Sequence, residues 1–206
     1  MFRILHMSKV TILPALVVLS LMSATAFGDV IFDFEGVTPE TTFTPFSDTS
    51  DGIIASFSSP DVSSFSVSDS NNVFSALEGN VLSDADDDPH LLNIVFSQPL
   101  NSISMDFALN TDDSNITFFL DAFSGGIGGT LVGSTSSTGS VPSGFFYIEG
   151  VASFSGVVFD TVAVTSDADD FAIDNVTVNP VPEPATMLLL GSGLLGLWGA
   201  RKKFKK

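Results

Sequence analysis

The sequence predicts an all-β protein whose main domain is an antiparallel β-sandwich of jelly-roll type, with roughly eight to ten strands. Three observations lead to this prediction. Apolar and polar residues alternate over most of residues 27–180, which is the period of half-buried strands. Clusters of Gly, Pro, Asp, Asn and Ser separate the alternating stretches and mark turns. The same range shows no convincing period of about 3.6 residues, the spacing of an amphipathic helix.

The individual strands follow from this alternation. One strand is predicted over residues 30–35 and another over 102–109, because apolar residues fall on every second position there. Further strands are predicted at 52–58, 63–68, 91–97, 115–123, 130–135, 144–152, 154–165 and 171–178.

The last of these strands, 171–178, breaks the alternation. Phe171 and Ile173 belong to one face, whereas Val176 and Val178 fall on the other parity. The strand is therefore either buried on both faces or bulged near Asp174, since an extra residue in one strand re-aims the side chains around it.

The charge distribution separates residues 27–180, the body, from both ends of the chain. All seven basic residues lie outside the body. Of the 24 acidic residues, all but Glu183 lie within the body, and the net charge of the whole chain is −17. A body without Lys or Arg cannot neutralise phosphates, so nucleic-acid binding is excluded and anionic lipid surfaces should repel it. The 20 Phe residues of the chain and its apolar fraction of 44% favour a folded core over disorder.

Residues 1–26 have the composition of a secretory signal peptide. Arg3 and Lys9 precede an uncharged apolar stretch at 10–22, and Ala24 and Ala26 supply the small residues that signal peptidase reads. We therefore expect cleavage after Ala26. An uncleaved anchor helix is the alternative, although the apolar stretch is short for a span of about 20 residues.

The C-terminal residues 181–206 combine three features in a fixed order. Val181, Pro182, Glu183 and Pro184 come first, an uncharged Gly- and Leu-rich run follows at 185–200, and a basic segment ends the sequence. This order resembles the PEP-CTERM sorting signal. The body is also similar to the Phe- and Asp-rich sandwich domains that commonly precede that signal, a resemblance that carries no assigned activity.

The resemblance implies that an exosortase, a membrane-embedded cysteine-type transpeptidase, recognises residues 181–184 and transfers the body to an acceptor. The apolar run would form a helix of roughly 24 Å against a hydrocarbon core of ~30 Å, so it should insert in the inner membrane only transiently. The basic segment after it should stay on the cytoplasmic side. A permanent tail anchor is the alternative.

Acidic residues in apolar surroundings form a candidate calcium site. Asp174 lies among apolar residues of the last predicted strand, and Asp33 and Glu35 lie in a similar setting in the first. Buried carboxylates without basic partners need a cation or a proton, and calcium takes about 6–8 oxygen ligands. If the first and last strands are neighbours, these three side chains are the predicted ligands, with Asp169 and Asp170 in reserve.

The five-residue segment SDADD occurs twice, at 83–87 and at 166–170. The first copy starts a run that places Asp84, Asp86 and Asp88 at alternate positions, like the opening of a calcium-binding loop. Pro89 and Val95 stand where an EF-hand has its Gly and its bidentate Glu. A solvated acidic turn is therefore the preferred interpretation of this segment.

The residue types of the body favour a structural or binding role over catalysis. Residues 27–180 contain a single His, His90, and no Cys, Lys or Arg. They also contain no nucleophile motif such as Gly-x-Ser-x-Gly. We therefore expect an exported, non-enzymatic protein of the cell surface or extracellular matrix, associated with exopolysaccharide. The alternative is a calcium-dependent carbohydrate-binding module or a weak glycoside hydrolase, since two carboxylates suffice for that reaction.

Processing at both ends of the chain is directly testable. The exported protein should lack residues 1–26 and most of residues 185–206. Glu183→Ala should leave an uncut form in the membrane, because the sorting motif has then lost its carboxylate. Mass spectrometry of the secreted and membrane fractions measures both forms, and equal release of wild type and Glu183→Ala would contradict the sorting hypothesis.

Overall fold

The computed structural model describes residues 28–60, 64–84, 91–111 and 116–181, together with Gly193. Residues Phe27–Val181 form one compact unit. The predicted signal peptide and, apart from Gly193, the predicted sorting helix at 185–200 lie outside the described residues. Within the described ranges, no helix has the length and apolar character needed to cross a membrane.

Ten β-strands make up the described body, which confirms the predicted all-β class. Every strand pair is antiparallel. The strands are β1 (Val30–Phe32), β2 (Phe46–Ser50), β3 (Ile53–Ser58), β4 (Phe65–Asp69), β5 (Asn80–Asp84), β6 (Leu92–Asn110), β7 (Phe118–Ser124), β8 (Thr130–Ser137), β9 (Ile148–Ser166) and β10 (Asp170–Pro180).

The strands form two packed layers, and the two longest strands run through both. In the first layer, the early part of β6 lies between β3 and the late part of β9, which gives the order β2-β3-β6-β9-β7-β8. In the second layer, the late part of β6 lies between β10 and the early part of β9, which gives the order β4-β5-β10-β6-β9 with β1 also beside β10. The result is the predicted antiparallel sandwich.

β6 and β9 pass from one layer to the other at a shared irregularity. The register of their pairing shifts between Val95 and Ser102, around Pro99, which has no N–H to donate to a ladder. On β9 the same region contains Gly156, whose φ of 98° is a conformation that favours glycine. A bend at matching positions lets two adjacent strands leave one layer and enter the next together.

Phenylalanine rings fill the space between the layers. Phe118 of β7 stacks on Phe107 of β6, with ring centroids 4.4 Å apart, and packs edge-on against Phe171 of β10 at 5.5 Å. All three side chains are buried. Because β7 belongs to the first layer and β10 to the second, these contacts join the two layers.

Several strand predictions differ from the structure. The predicted strands 144–152 and 154–165 are one bent strand, β9, and 91–97 and 102–109 both belong to β6. β2 and β5 have no counterpart among the predicted strands. Their sequences, Phe-Ser-Asp-Thr-Ser and Asn-Val-Leu-Ser-Asp, have the composition of turns, and only pairing with neighbouring strands makes them extended.

β1 and β10 are neighbours, which is the arrangement that the calcium hypothesis requires. Val30 pairs with Val178 and Phe32 with Val176. β1 ends at Phe32, before the predicted end at residue 35, because Phe34 has a positive φ of 59° and leaves the extended conformation. The residues after Phe32 therefore belong to a loop at the end of the sandwich.

Candidate functional site

Asp174 occupies a bulge of β10, at the point where the sequence predicts an irregular strand. The pairing with β6 shifts between Asp174 and Thr177, and Asn175 has a φ of 50°. The Asp174 side chain is only 2% exposed. Its Oδ1 accepts a hydrogen bond from the backbone N–H of Asn175 at 2.7 Å, and its Oδ2 accepts one from the backbone N–H of Glu78 at 3.3 Å. The bulge thus turns a strand residue into a buried acceptor for two backbone groups.

Asp106 of β6, which sequence patterns do not single out, stands directly opposite Asp174. The two residues are partners in the β6–β10 ladder. The side-chain amide of Asn175 lies between them, since its Nδ2 donates to Asp106 Oδ2 at 3.0 Å and to Asp174 Oδ2 at 3.4 Å. One neutral amide therefore bridges two carboxylates that would otherwise repel each other.

Burial raises the pKa of Asp174 from its ordinary value of 3.8 to about 7. The N–H groups of Asn175 and Glu78 stabilise the charged form and act against this increase, whereas the charges of Asp106 and Asp33 add to it. Near neutral pH the Asp174 carboxyl therefore gains and loses a proton readily. A cation could take the place of that proton.

Asp33 and Glu35 are both exposed, so the prediction that they lie in a buried setting like that of Asp174 is wrong. The chain has left the β conformation when it reaches them. The charge of Asp33 acts on Asp174, and its Oδ1 accepts the N–H of Glu35 at 3.2 Å. The Oε1 of Glu35 accepts the backbone N–H of Asn80, at the start of β5, at 2.8 Å. The structure thus brings Asp33 toward Asp174 and engages Glu35 elsewhere.

The reserve ligands Asp169 and Asp170 lie further back along the chain. Asp170 begins β10 and pairs with Asn110, whose side-chain N–H donates to Asp170 Oδ2 at 3.1 Å. The extended strand between Asp170 and Asp174 spans about 13 Å. Asp169 is exposed. The two reserve residues therefore do not join the group around Asp174.

Within the described residues, no group of three or more His, Cys, Asp or Glu side chains is arranged to hold a metal ion. The charges of Asp33 and Asp106 act on Asp174, but in this arrangement the three carboxylates do not close into a cage. Of the acids in the first SDADD region, Asp84 is buried at the end of β5, and residues 86 and 88 lie outside the described residues.

Glu149, near the start of β9, is a buried carboxylate that sequence reasoning missed. It is 5% exposed, and its two oxygens accept the backbone N–H groups of Ser75 and Ala76 at 2.8 and 2.7 Å. These contacts hold the loop between β4 and β5 against β9. The sequence contains no signal for this role, because the two partners are more than seventy positions away.

Asp160 of β9 holds the turn between β7 and β8 in the same way. Its oxygens accept the N–H groups of Gly125 and Gly126, each at 2.9 Å, and the hydroxyl of Thr161 donates to it at 2.8 Å. Burial acts to raise the pKa of Asp160, but the three hydrogen bonds outweigh burial and keep the pKa below its ordinary value of 3.8. Asp160 and Asp174 are therefore shifted in opposite directions.

A family model described as the PEP-CTERM protein-sorting motif matches residues 180–203. The chain carries a PEP-CTERM sorting signal. A PEP-CTERM signal indicates an exported protein that an exosortase processes, as the sequence predicts. Its first motif residue, Val181, is within the described residues, and the Val181 N–H donates to the carbonyl of Pro99 at 2.9 Å. Val181 thus belongs both to the hydrogen-bonded sandwich and to the range that the sorting-motif model matches.

Solved structures similar to this chain include one adhesin domain with a TM-score above 0.5, which supports the sandwich fold. The K2 cleaved adhesin domain of Lys-gingipain is similar with a TM-score of 0.51 and 12% identity, over 75% of this chain and 99% of that one. The K1 cleaved adhesin domain of Lys-gingipain from Porphyromonas gingivalis W83 has a TM-score of 0.46 and 9% identity, over 75% and 99% of the two chains. TmCBM61 in complex with beta-1,4-galactotriose has a TM-score of 0.42 and 13% identity, over 72% of this chain and 94% of that one. No curated protein matches the chain.

Asp174→Asn should remove a pH dependence of the stability of the folded body. Because the folded-state pKa is raised, the contribution of Asp174 is fully favourable below the unfolded pKa of 3.8 and is lost as the pH rises through about 7. Relative to Asp174→Asn, the free energy of unfolding of the wild type should therefore fall by about 2–4 kcal/mol between about pH 4 and about pH 7. Denaturant unfolding of the full chain in a chelator measures this difference.

Asp160→Asn is the matched control, because the pKa of Asp160 is shifted in the opposite direction to that of Asp174. Its lowered pKa means that the stability contributed by Asp160 is present above the unfolded pKa and is lost as the pH falls through the folded pKa. The difference between wild type and Asp160→Asn should therefore shrink in acid. A difference between wild type and Asp174→Asn that stays constant with pH would show that Asp174 is not held in its neutral form by folding.

Proposed function

We propose that this protein is a non-enzymatic component of the cell surface or extracellular matrix, associated with exopolysaccharide. The observation that carries this proposal is the direct junction between sandwich and sorting signal, seen in the hydrogen bond from Val181 to Pro99. Residues Phe27–Val181 form a single compact unit. In this proposal, the surface of the sandwich supplies the function, since the sandwich is the folded unit next to the sorting signal.

The way in which the carboxylates are used supports a non-enzymatic role. Glu149, Asp160 and Asp174 accept backbone N–H groups, an arrangement that holds loops in place. Asp106 and Asp174 are a close carboxylate pair, and neither lines the cavities around Phe74, Tyr147 or Phe154.

The charge of the body supports association with polysaccharide. Residues 27–180 contain no Lys or Arg, and the chain has a net charge of −17. Such a surface stays soluble and is repelled by nucleic acid and anionic lipid. Among the materials outside a cell, polymers rich in neutral hydroxyl groups are those that it can approach without charge repulsion.

Retention in the matrix tests the proposed function. In producing cells, the exported form of the full chain should be recovered in the exopolysaccharide fraction, and removal of the polysaccharide should release it. Glu183→Ala, which should remain in the membrane, is the control for non-specific trapping. The size distribution of the polysaccharide, measured by size-exclusion chromatography, should not change on prolonged incubation with the exported protein.

Two results would count against this function. Recovery of the exported form in the free medium, with the polysaccharide intact, would contradict a matrix role. Shortening of the polysaccharide chains would instead support the alternative of a weak carboxylate-based glycoside hydrolase.

A calcium-dependent carbohydrate-binding module is the second candidate, and the setting of Asp174 favours it. Asp174 is buried and its pKa is raised to about 7 by burial and by the charges of Asp106 and Asp33. A calcium ion would neutralise these charges in place of the proton. The donor set is carboxylate oxygen, which suits calcium, although Asp33 would have to move closer because the described residues do not form a closed site.

Thermal melting of the full chain in chelator, in millimolar calcium and in sodium chloride of equal ionic strength tests the calcium site. Calcium should raise the midpoint beyond sodium, since a ligand of the native state adds ~2.7 kcal/mol at about one hundred times its Kd. Asp174→Asn should lose this excess, whereas Asp160→Asn should keep it.

Equal shifts in calcium and sodium would mean that the acids are only a solvated surface. If calcium acts but Asp174→Asn responds like the wild type, the site lies elsewhere, and Asp84, Asp86 and Asp88 become the ligands to test.

A further inference from the structure

Tyr147, just before β9, separates two surface cavities at one end of the sandwich. The larger has a volume of about 450 Å³, and its lining includes Asn72, Asn110, Phe146 and Tyr147. The smaller, of about 90 Å³, shares Asn110 and Tyr147 and adds Asp84 among others. We call the larger cavity the Tyr147 groove. Its volume lies in the range of small-ligand sites, about 300–1,000 Å³.

One wall of the Tyr147 groove is held rigidly by the body of the sandwich. The loop between β4 and β5 supplies this wall, and Glu149 binds its backbone at Ser75 and Ala76. Leu77 of the same loop is completely buried. The ring of Phe74 packs on that of Tyr147, with centroids 4.9 Å apart. A wall that is ordered before a ligand arrives lowers the entropy cost of binding.

The Tyr147 groove presents an exposed aromatic ring beside polar groups that have no partner in the described part of the chain. Phe146 is 86% exposed and lines the groove, so its ring face is accessible to a ligand there. Within the described residues, no hydrogen bond engages the side-chain amide of Asn72 or the hydroxyl of Tyr147, and Asn110 uses only its Nδ2, toward Asp170. The groove therefore offers an apolar ring face, two amides and a hydroxyl.

This combination matches the chemistry of sugars. A pyranose has C–H groups that pack on an aromatic ring and hydroxyl groups that both donate and accept hydrogen bonds. An Asn side chain can do the same, with two donors and an acceptor. The polar groups that line the Tyr147 groove are uncharged, the neighbouring cavity contributes Asp84 and Asp170, and the body has no cation. Uronic acids and sulfated sugars would be repelled.

We propose that the Tyr147 groove binds a neutral glycan chain, with Phe146 as the stacking ring and Asn72 and Asn110 as hydrogen-bonding groups. This inference rests on the proposed function and names the ligand class and the site. A concave groove of about 450 Å³ lies in the size range of small-ligand sites and fits a few sugar rings.

Binding of the full chain, purified in mild detergent, to soluble polysaccharides tests this site. The probes are galactan, mannan, xylan and dextran as neutral polymers and alginate as an anionic one, each measured by affinity electrophoresis in chelator. The wild type should bind at least one neutral polymer and not alginate. Phe146→Ala should weaken that binding at least about tenfold, and Asn72→Ala should weaken it several-fold. Phe119→Ala, which removes another exposed ring outside the groove, should leave it unchanged.

Three results would overturn the inference: no binding to any neutral polymer, equal binding to alginate, or binding by Phe146→Ala that equals that of the wild type at an unchanged melting temperature. Matrix retention of Phe146→Ala in producing cells separates the groove from the proposed function. If Phe146→Ala is retained like the wild type, the matrix role stands and the groove is wrong. If the wild type binds a neutral polymer through Phe146 but is not retained, the groove stands and the matrix role is wrong.

Discussion

The carboxylates of the folded body have no basic side chain to pair with, because residues 27–180 contain no Lys or Arg. Backbone N–H groups act as their partners instead. Glu149 spans two consecutive N–H groups, Asp160 does the same at the β7–β8 turn, and Asp174 accepts one N–H from its own bulge and one from a distant loop. Hydrogen bonds to a charged acceptor are roughly twice as strong as neutral ones. Acidic residues therefore tie loops to strands in this protein.

Three of these carboxylates converge on one loop, residues 70–79, and on the start of β5. Glu149 reaches it from β9, Asp174 from β10, and Glu35 from the segment after β1. The same loop forms one wall of the Tyr147 groove. The protonation of Asp174, or a cation beside it, would therefore act on a segment that also shapes the groove. The candidate calcium site and the candidate sugar site are linked through this loop.

The chain contains no Cys and so no disulfides, and the packing of its core provides stability instead. Phe107, Phe118 and Phe171 pack together between the layers, where each ring removes a large apolar area from water. The bend of β6 and β9 near Pro99 and Gly156 lets two long strands contribute to both layers. The same two strands, β6 and β9, therefore pair with neighbours in each layer and connect the two layers.

The sequence by itself determined the C-terminal sorting signal, the absence of Lys and Arg from residues 27–180, the all-β class and the break in the last strand near Asp174. Composition, order along the chain and a period of two are local properties. Only the tertiary structure decided that Asp106 faces Asp174, that Glu149 holds a loop and that Phe146 lies exposed in a groove. These contacts join residues that are far apart in the chain. Their geometry depends on strand register and on a bend shared by two strands, and a one-residue change of register would turn each side chain to the other face.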